Sequence, residues 1–174
     1  MKLHVLTACT RPQNLTQLAA SLEGAESAGV DLTWHIRFDM AKQAVGGQAL
    51  KNAMLEQITD GWIAILDDDN LLHPAFFATV AAAVASHGGA QLLVIAQQHA
   101  GGWVRQAERR MLKQTHVDAG QVVIRRDATR DRRIPLHYCG DGEWIEGIAD
   151  SLGADQIVCI RDVATYYNWL RNDS

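Results

Sequence analysis

Apolar and polar positions alternate along the chain in two rhythms. Lys2 to Thr7 is a short, continuously apolar run that predicts a buried strand, broken at Arg11-Pro12. Leu15, Leu18 and Leu22 then recur at helical spacing until Gly29 closes the segment. From Asp31 to Phe38 the period is two, with Leu32, Trp34, Ile36 and Phe38 on one face of a second strand. Gly46-Gly47 opens a helix carried by Leu50, Met54 and Ile58, and Asp60-Gly61 turns the chain. Trp62 to Leu66 is apolar throughout, which predicts an interior strand. Pro74 starts a third helix with Phe76, Phe77, Val80 and Val84 on its buried side, ended by His87-Gly88-Gly89. Gln91 to Ala96 is a fourth strand.

The second half is less regular. Trp103 to Arg105, Gln121 to Arg125 and Gln156 to Ile160 read as strands, and Asp118-Ala119-Gly120 as a turn. Gly140-Asp141-Gly142 precedes a helix with Ile145, Ile148 and Leu152 on one face. Thr165 to Leu170 reads as a short aromatic tail. Strands alternating with helices predict an α/β fold: a mostly parallel central sheet, Rossmann-like, with helices on both faces. No repeat or low-complexity linker divides the chain, so one minimal domain over 1–174 is expected. Its nucleotide-binding part would cover about 1–97 and its acceptor side about 98–174. Such sheets bind ligands at the carboxyl ends of their strands. That directs attention to Ala8–Gln13, Asp39–Gly47 and Asp67–His73.

Composition narrows the function. With 174 residues, nearly half apolar, the chain can bury a real core. A net charge of −4 argues against a general nucleic-acid binder. Between Arg105 and Arg133, however, nine Lys or Arg stand against four Asp or Glu. This stretch either faces a phosphate or acidic acceptor or forms a solvated, salt-bridged surface. Three cysteines, Cys9, Cys139 and Cys159, none at C-x-x-C spacing, suit reduced thiols better than a disulfide framework or a zinc site. No signal-peptide pattern and no transmembrane window is present, so a cytoplasmic location is expected.

The strongest chemical signal is Asp67-Asp68-Asp69 after the apolar strand. Adjacent carboxylates repel and raise each other's pKa unless a cation intervenes. In an extended segment Asp67 and Asp69 project to one side and Asp68 to the other. Two convergent carboxylates, completed by water and phosphate oxygens, suit Mg²⁺ or Mn²⁺. The bland alternative is an acidic loop with Asn70 in an Asx-turn.

Leu66-Asp67-Asp68-Asp69-Asn70 followed by His73-Pro74 resembles the D-x-D region of GT-A glycosyltransferases, especially those similar to family 2. Thr7-Ala8-Cys9-Thr10-Arg11-Pro12 resembles the family's first, nucleotide-lining loop. Asp39 falls where the family places an Asp on the base or ribose. Gly47 to Asn52 resembles a helix start, with Lys51 where an Arg is common. Asp141-Gly142-Glu143 lies where the family carries an adjacent acidic catalytic pair.

The resemblance implies a metal-dependent transferase that binds a nucleotide-diphosphate sugar, UDP-sugar favoured, through Thr7, Arg11, Asp39, Lys51, Asp67 and Asp68. Asp67 and Asp69 would hold Mn²⁺ or Mg²⁺. Asp141 or Glu143 would take the proton of a sugar, lipid or protein acceptor, with inversion at the anomeric carbon. The family's late metal-binding His has no counterpart after His137, which leaves water or Asn168 to complete the shell.

Each residue has a plainer alternative. Asp39 could cap a turn, Lys51 could be an ordinary exposed helix lysine, and Arg11 could be a surface residue beside Pro12. Asp141 could be a helix N-cap and Glu143 a first-turn residue that complements the dipole. Asp118 could touch donor or acceptor, or simply make the turn. Trp103 and Trp144 could stack on a sugar or belong to the core. Two other functions fit the same fold. One is a sugar-phosphate nucleotidyltransferase, which would need a Gly-rich, basic first loop. The other is a non-catalytic nucleotide-sugar-binding or assembly module. A chain this short leaves room for a homo-oligomer that completes an acceptor cleft.

Overall fold

The computed structural model describes residues 1–39, 45–129 and 131–171. Part of the expected ligand loop after Asp39 and one member of the basic stretch, Arg130, lie outside them. Eight strands form one sheet: β1 (Lys2–Cys9), β2 (Asp31–Phe38), β3 (Trp62–Ile65), β4 (Leu71–Leu72), β5 (Leu92–His99), β6 (Val104–Arg105), β7 (Val122–Arg125) and β8 (Ile157–Tyr167). The order is β2-β1-β3-β7-β5-β8-β4, with β6 paired to β5. Five strands (β1, β2, β3, β5 and β8) run the same way; β7, β6 and β4 run against them. The sheet is thus mostly parallel, as the alternating pattern predicts, with antiparallel β7 set between β3 and β5.

Helices cover both faces: α1 (Leu15–Ser21), α2 (Gln48–Leu55), α3 (Phe76–Ser86), α4 (Arg126–Thr129) and α5 (Gly140–Asp150). The pleat sends alternate side chains to opposite faces and builds two cores. On one face Leu6, Ile63, Ile65, Val94 and Val122 meet α2 through Met54 and Leu55 and α5 through Trp144, Ile145 and Ile148. On the other, Leu3, Val5, Ala64, Ile95 and Val123 meet α1 through Leu18 and α3 through Phe76, Phe77 and Val80. β3 is buried at every position, as an interior strand requires. β2 is an edge strand; its apolar row is only partly covered and Phe38 is exposed.

The first three residues of the expected aromatic tail, Thr165 to Tyr167, form the end of β8. Leu71 and Leu72 pair there with Tyr166 and Thr165, and β5 pairs with it as far as Tyr167. The β5–β8 register shifts around Ala96, so the alternation of β8 changes phase midway. Exposed Arg161 and Asp162 break its apolar pattern at the same point.

Candidate active site

Because β1, β2, β3, β5 and β8 are codirectional, their carboxyl ends share one sheet edge. Antiparallel β7 begins at that edge, which brings Asp118 there too. A cavity of about 550 Å³ opens at this edge, within the size range of small-molecule sites. Its wall includes Arg11, Lys51, Asp67, Asp68 and Asp69 from the first half and Arg105, Asp118, Tyr138, Asp141, Tyr167 and Asn168 from the second.

The three aspartates after β3 have separate surroundings. Asp68, 3% exposed, accepts from Thr10 N at 2.5 Å, Thr10 Oγ1 at 2.9 Å and Arg11 N at 2.6 Å. Arg11 Nη1 pairs with its other oxygen at 2.7 Å. Asp68 therefore pins the loop after β1 to the loop after β3. Asp67 pairs with Lys51 Nζ at 2.7 Å. Lys51, expected as an ordinary exposed lysine or a phosphate ligand, is 1% exposed. Burial alone would lower its pKa, but Asp67, and more distantly Asp141 and Asp118, outweigh that and raise it. Asp69 has Arg11 at 3.4 Å, and burial, then the charge of Asp67, raise its pKa.

The helix that presents Lys51 begins at Gly46-Gly47, both at positive φ (57° and 71°), a turn that suits glycine. The far end of the chain straps the triplet: Asn168 N donates to Asn70 Oδ1 at 2.8 Å and Leu170 N to the Asp69 carbonyl at 2.9 Å.

On the second-half side, Asp118 caps the turn before β7 by accepting from Gly120 N. It also lines the cavity, and burial followed by the charge of Asp67 pushes its pKa up to about 6. Asp141 lies inside the first turn of α5, whose N-cap is Cys139, so it does not cap the helix. Burial raises its pKa; Lys51 opposes the shift and Asp67 adds to it.

Of the other expected site residues, Thr7 is wholly buried: its hydroxyl donates to the Leu66 carbonyl at 2.8 Å and accepts from Trp34 Nε1 at 2.9 Å. Asp39 is nearly buried and extends the β1–β2 ladder through a 2.9 Å bond from its N–H to the Cys9 carbonyl. Glu143 projects outward and pairs with His137 at 2.9 Å. None of the three is among the cavity-lining residues. Trp144 is a core residue; Trp103 is half exposed. The basic stretch resolves largely into surface pairs, Arg110 with Glu108, Lys113 with Glu146, Arg125 with Asp127 and Arg133 with Glu56, while Arg105 reaches the cavity.

Among the described residues no group of three or more His, Cys, Asp or Glu forms a ready metal cage. The donor set does suit a hard cation that is completed by substrate. Asp67 and Asp69 each raise the need for positive charge in a site where buried carboxylates titrate upward. Mg²⁺-type ions take one or two carboxylates plus phosphate and water oxygens.

No family model matches the sequence, and no curated protein aligns with it significantly. Solved structures do match in shape. The crystal structure of S. aureus TarS 1-349 in complex with UDP superposes with a TM-score of 0.69 at 14% identity, over 96% of this chain and 60% of that one. TarS 1-349 in complex with UDP-GlcNAc gives 0.64 at 12% identity, over 95% and 58%. S. aureus TarS itself gives 0.71 at 15%, over 95% of this chain and 36% of that one. The chain therefore spans less than two thirds of the proteins it resembles. At this identity the likeness establishes architecture: a single small α/β domain with the fold of the GT-A-like glycosyltransferase TarS.

Proposed function

We propose that the chain is a glycosyltransferase that uses a nucleotide-diphosphate sugar, related to family 2 and dependent on Mn²⁺ or Mg²⁺. The observation that carries this reading is the convergence of Asp67, Asp69, Asp118 and Asp141 with Lys51 and Arg11 in one cavity, at the edge where such sheets bind ligands. The TarS structures that hold UDP and UDP-GlcNAc support a UDP-sugar as donor. Asp69, with Asp67, would hold the cation, which would neutralise the diphosphate as a leaving group.

Lys51 fixes Asp67, and Asp68 fixes the Thr10-Arg11 loop that faces the nucleotide. Asp141 is the base in this reading, because it lines the cavity and Glu143 does not. Its carboxylate takes the proton of an acceptor hydroxyl while that oxygen bonds to the anomeric carbon. The bond from that carbon to the phosphate oxygen breaks, and UDP leaves with the electron pair. A single displacement inverts the anomeric carbon. A raised carboxylate pKa serves a base that must accept a proton near neutral pH.

The chain's coverage of only part of TarS favours one alternative, a nucleotide-sugar-binding module that acts beside further domains. Chromatographic measurement of UDP released from UDP-GlcNAc and UDP-glucose with Mn²⁺ separates the two. The transferase reading expects release, with kcat lowered on the order of 10²-fold or more in Asp141→Asn and UDP affinity kept. Binding of UDP without release from any donor would leave the module.

A further inference from the structure

The second-half side of the cavity carries a cluster of aromatic and charged side chains around Arg105. Gln97 is in register with Arg105 on β6 and with Thr165 on β8, and His99 with Tyr167. His99 N also donates to the Trp103 carbonyl at 2.9 Å. By the period of the pleat, Gln97, His99, Trp103, Arg105 and Tyr167 share one face. Trp103 stacks on His99 with ring centres 4.7 Å apart at 17°, and His99 lies 5.0 Å from Tyr167. The Arg105 guanidinium sits 5.3 Å from the Trp103 ring centre and 5.1 Å from that of Tyr167. Arg105 Nη1 donates to Gln97 Oε1 at 2.8 Å, and Gln97 Nε2 donates to Asp118 Oδ1 at 2.9 Å. Gly120 N donates to the same Asp118 oxygen. Asp118 Oδ2 has no hydrogen bond among the described residues; Arg105 stands 4.0 Å away.

The result is an aromatic shelf, a guanidinium held by Gln97, and a carboxylate with one oxygen hydrogen-bonded and the other facing Arg105 alone at 4.0 Å. Arg105, Asp118 and Tyr167 line the cavity; Gln97, His99 and Trp103 are not among its lining residues and join it through their contacts with Arg105, Asp118 and Tyr167. Trp103 remains 49% exposed although its ring is held in place, and Tyr138 on the loop before α5 is 83% exposed.

We infer that this wall is the acceptor subsite and that the acceptor is a saccharide; the inference rests on the glycosyltransferase reading above. A sugar ring offers an apolar C–H face for stacking and hydroxyls around its rim. Trp103 and Tyr167 supply the stacking surface, Asp118 Oδ2 accepts from a hydroxyl, and Arg105 donates to a ring or hydroxyl oxygen. The wall is too polar to be a trough for an alkyl chain. β6, at two residues, is too short an edge to take a peptide as an added strand. In the glycosyltransferase reading the nucleotide lies by the Thr10-Arg11 loop after β1, and the strand order sets β3 and β7 between that loop and β5. A nucleobase is therefore not the ring this shelf receives.

Saturation-transfer NMR on the full chain with UDP and Mn²⁺ tests the subsite independently of turnover. Methyl β-D-glucopyranoside, N-acetylglucosamine and cellobiose are the probes, with a serine-containing peptide and a dodecyl-chain micelle as the rival classes. The wild type should bind at least one saccharide. Trp103→Ala should weaken that binding about tenfold, Trp103→Phe should restore most of it, and Asp118→Asn should weaken it as well. UDP should raise the Tm of the wild type and of both Trp103 variants alike. Wild-type protein that binds UDP and none of the saccharides, saccharide binding unchanged in Trp103→Ala, or binding of the peptide or micelle in place of the sugars would overturn the assignment. Failure of the wild type to bind UDP would instead strike the donor reading.

Discussion

Lys51 shows how a single buried charge organises the site. Among the described residues its one ion-pair partner is Asp67, at 2.7 Å. Removing that carboxylate strands a buried ammonium, whereas removing Asp69 relieves like-charge repulsion. In chelator-containing buffer, urea unfolding should show Asp67→Ala destabilised by about 3 kcal/mol and Asp69→Ala by less than about 1 kcal/mol. Equal losses would show that Lys51 does not depend on Asp67.

Asp118 makes the complementary case. Its pKa of about 6 lies above the ordinary carboxylate value of 3.8, so the folded state favours the protonated form. The resulting cost is fully present above pH 6 and is lost as pH falls below it. Asp118→Asn should therefore be more stable than wild type by about 3 kcal/mol at pH 7.5, with roughly half that advantage at pH 5. Denaturation curves at the two pH values measure this; an advantage that does not shrink at pH 5 would contradict the burial account.

The acidic triplet was legible in the sequence because an acidic run directly after an apolar strand is a local signal. Its division was not: Asp68 and Asp69 lie in a turn and share Arg11, while Lys51 takes Asp67, a split that extended-strand geometry does not give. The burial of Lys51 was not legible. Spacing places it on α2 but cannot say that Asp67, Asp141 and Asp118 gather their charge around its ammonium. Thr7 misled for a related reason: its place in the first loop pattern suggests a ligand, while its hydroxyl is consumed by Leu66 and Trp34.

At the scale of elements, α5 owes its position to close backbone approach. A Cβ on Gly142 would lie 2.2 Å from the Gln114 carbonyl oxygen. This explains why Asp141 and Glu143 are separated by glycine where the resembling family has an adjacent acidic pair. Gly142→Ala should push the helix start outward, lowering stability by about 2 kcal/mol and Tm by roughly 4–8 °C. Calorimetry would show this, and the rate of transfer should fall with Asp141 displaced. An unchanged Tm would mean that the loop at Gln114 yields freely.

The first four helix and strand segments were readable because their periods are clean. The direction of β7 was not, because alternation marks a strand without its sense, and only that direction brings Asp118 to the ligand edge. The full length of β8 is hidden in the sequence because Arg161 and Asp162 interrupt its apolar run and the bulge beside Ala96 changes its phase.

At the scale of the whole molecule, two cores hold one sheet whose codirectional strands end together. The charge gathered there is unlike that of the remaining surface. Asp67, Asp68, Asp69, Asp118 and Asp141 face Arg11, Lys51, Arg105 and Arg171 across the cavity, in a chain whose net charge is −4. Burial and mutual repulsion raise the pKa values of Asp69, Asp118 and Asp141, a cost that a cation with a diphosphate would relieve. No helix among the described residues is long and apolar enough to cross a membrane. Isothermal titration of UDP into the full chain, with Mn²⁺ and with chelator, compared between wild type and Asp69→Asn, tests the central claim. The account predicts binding in wild type that weakens at least tenfold on chelation and an Asp69→Asn variant that binds UDP only as weakly as chelated wild type. Equal affinity in all these conditions, or no UDP binding in any, would contradict it.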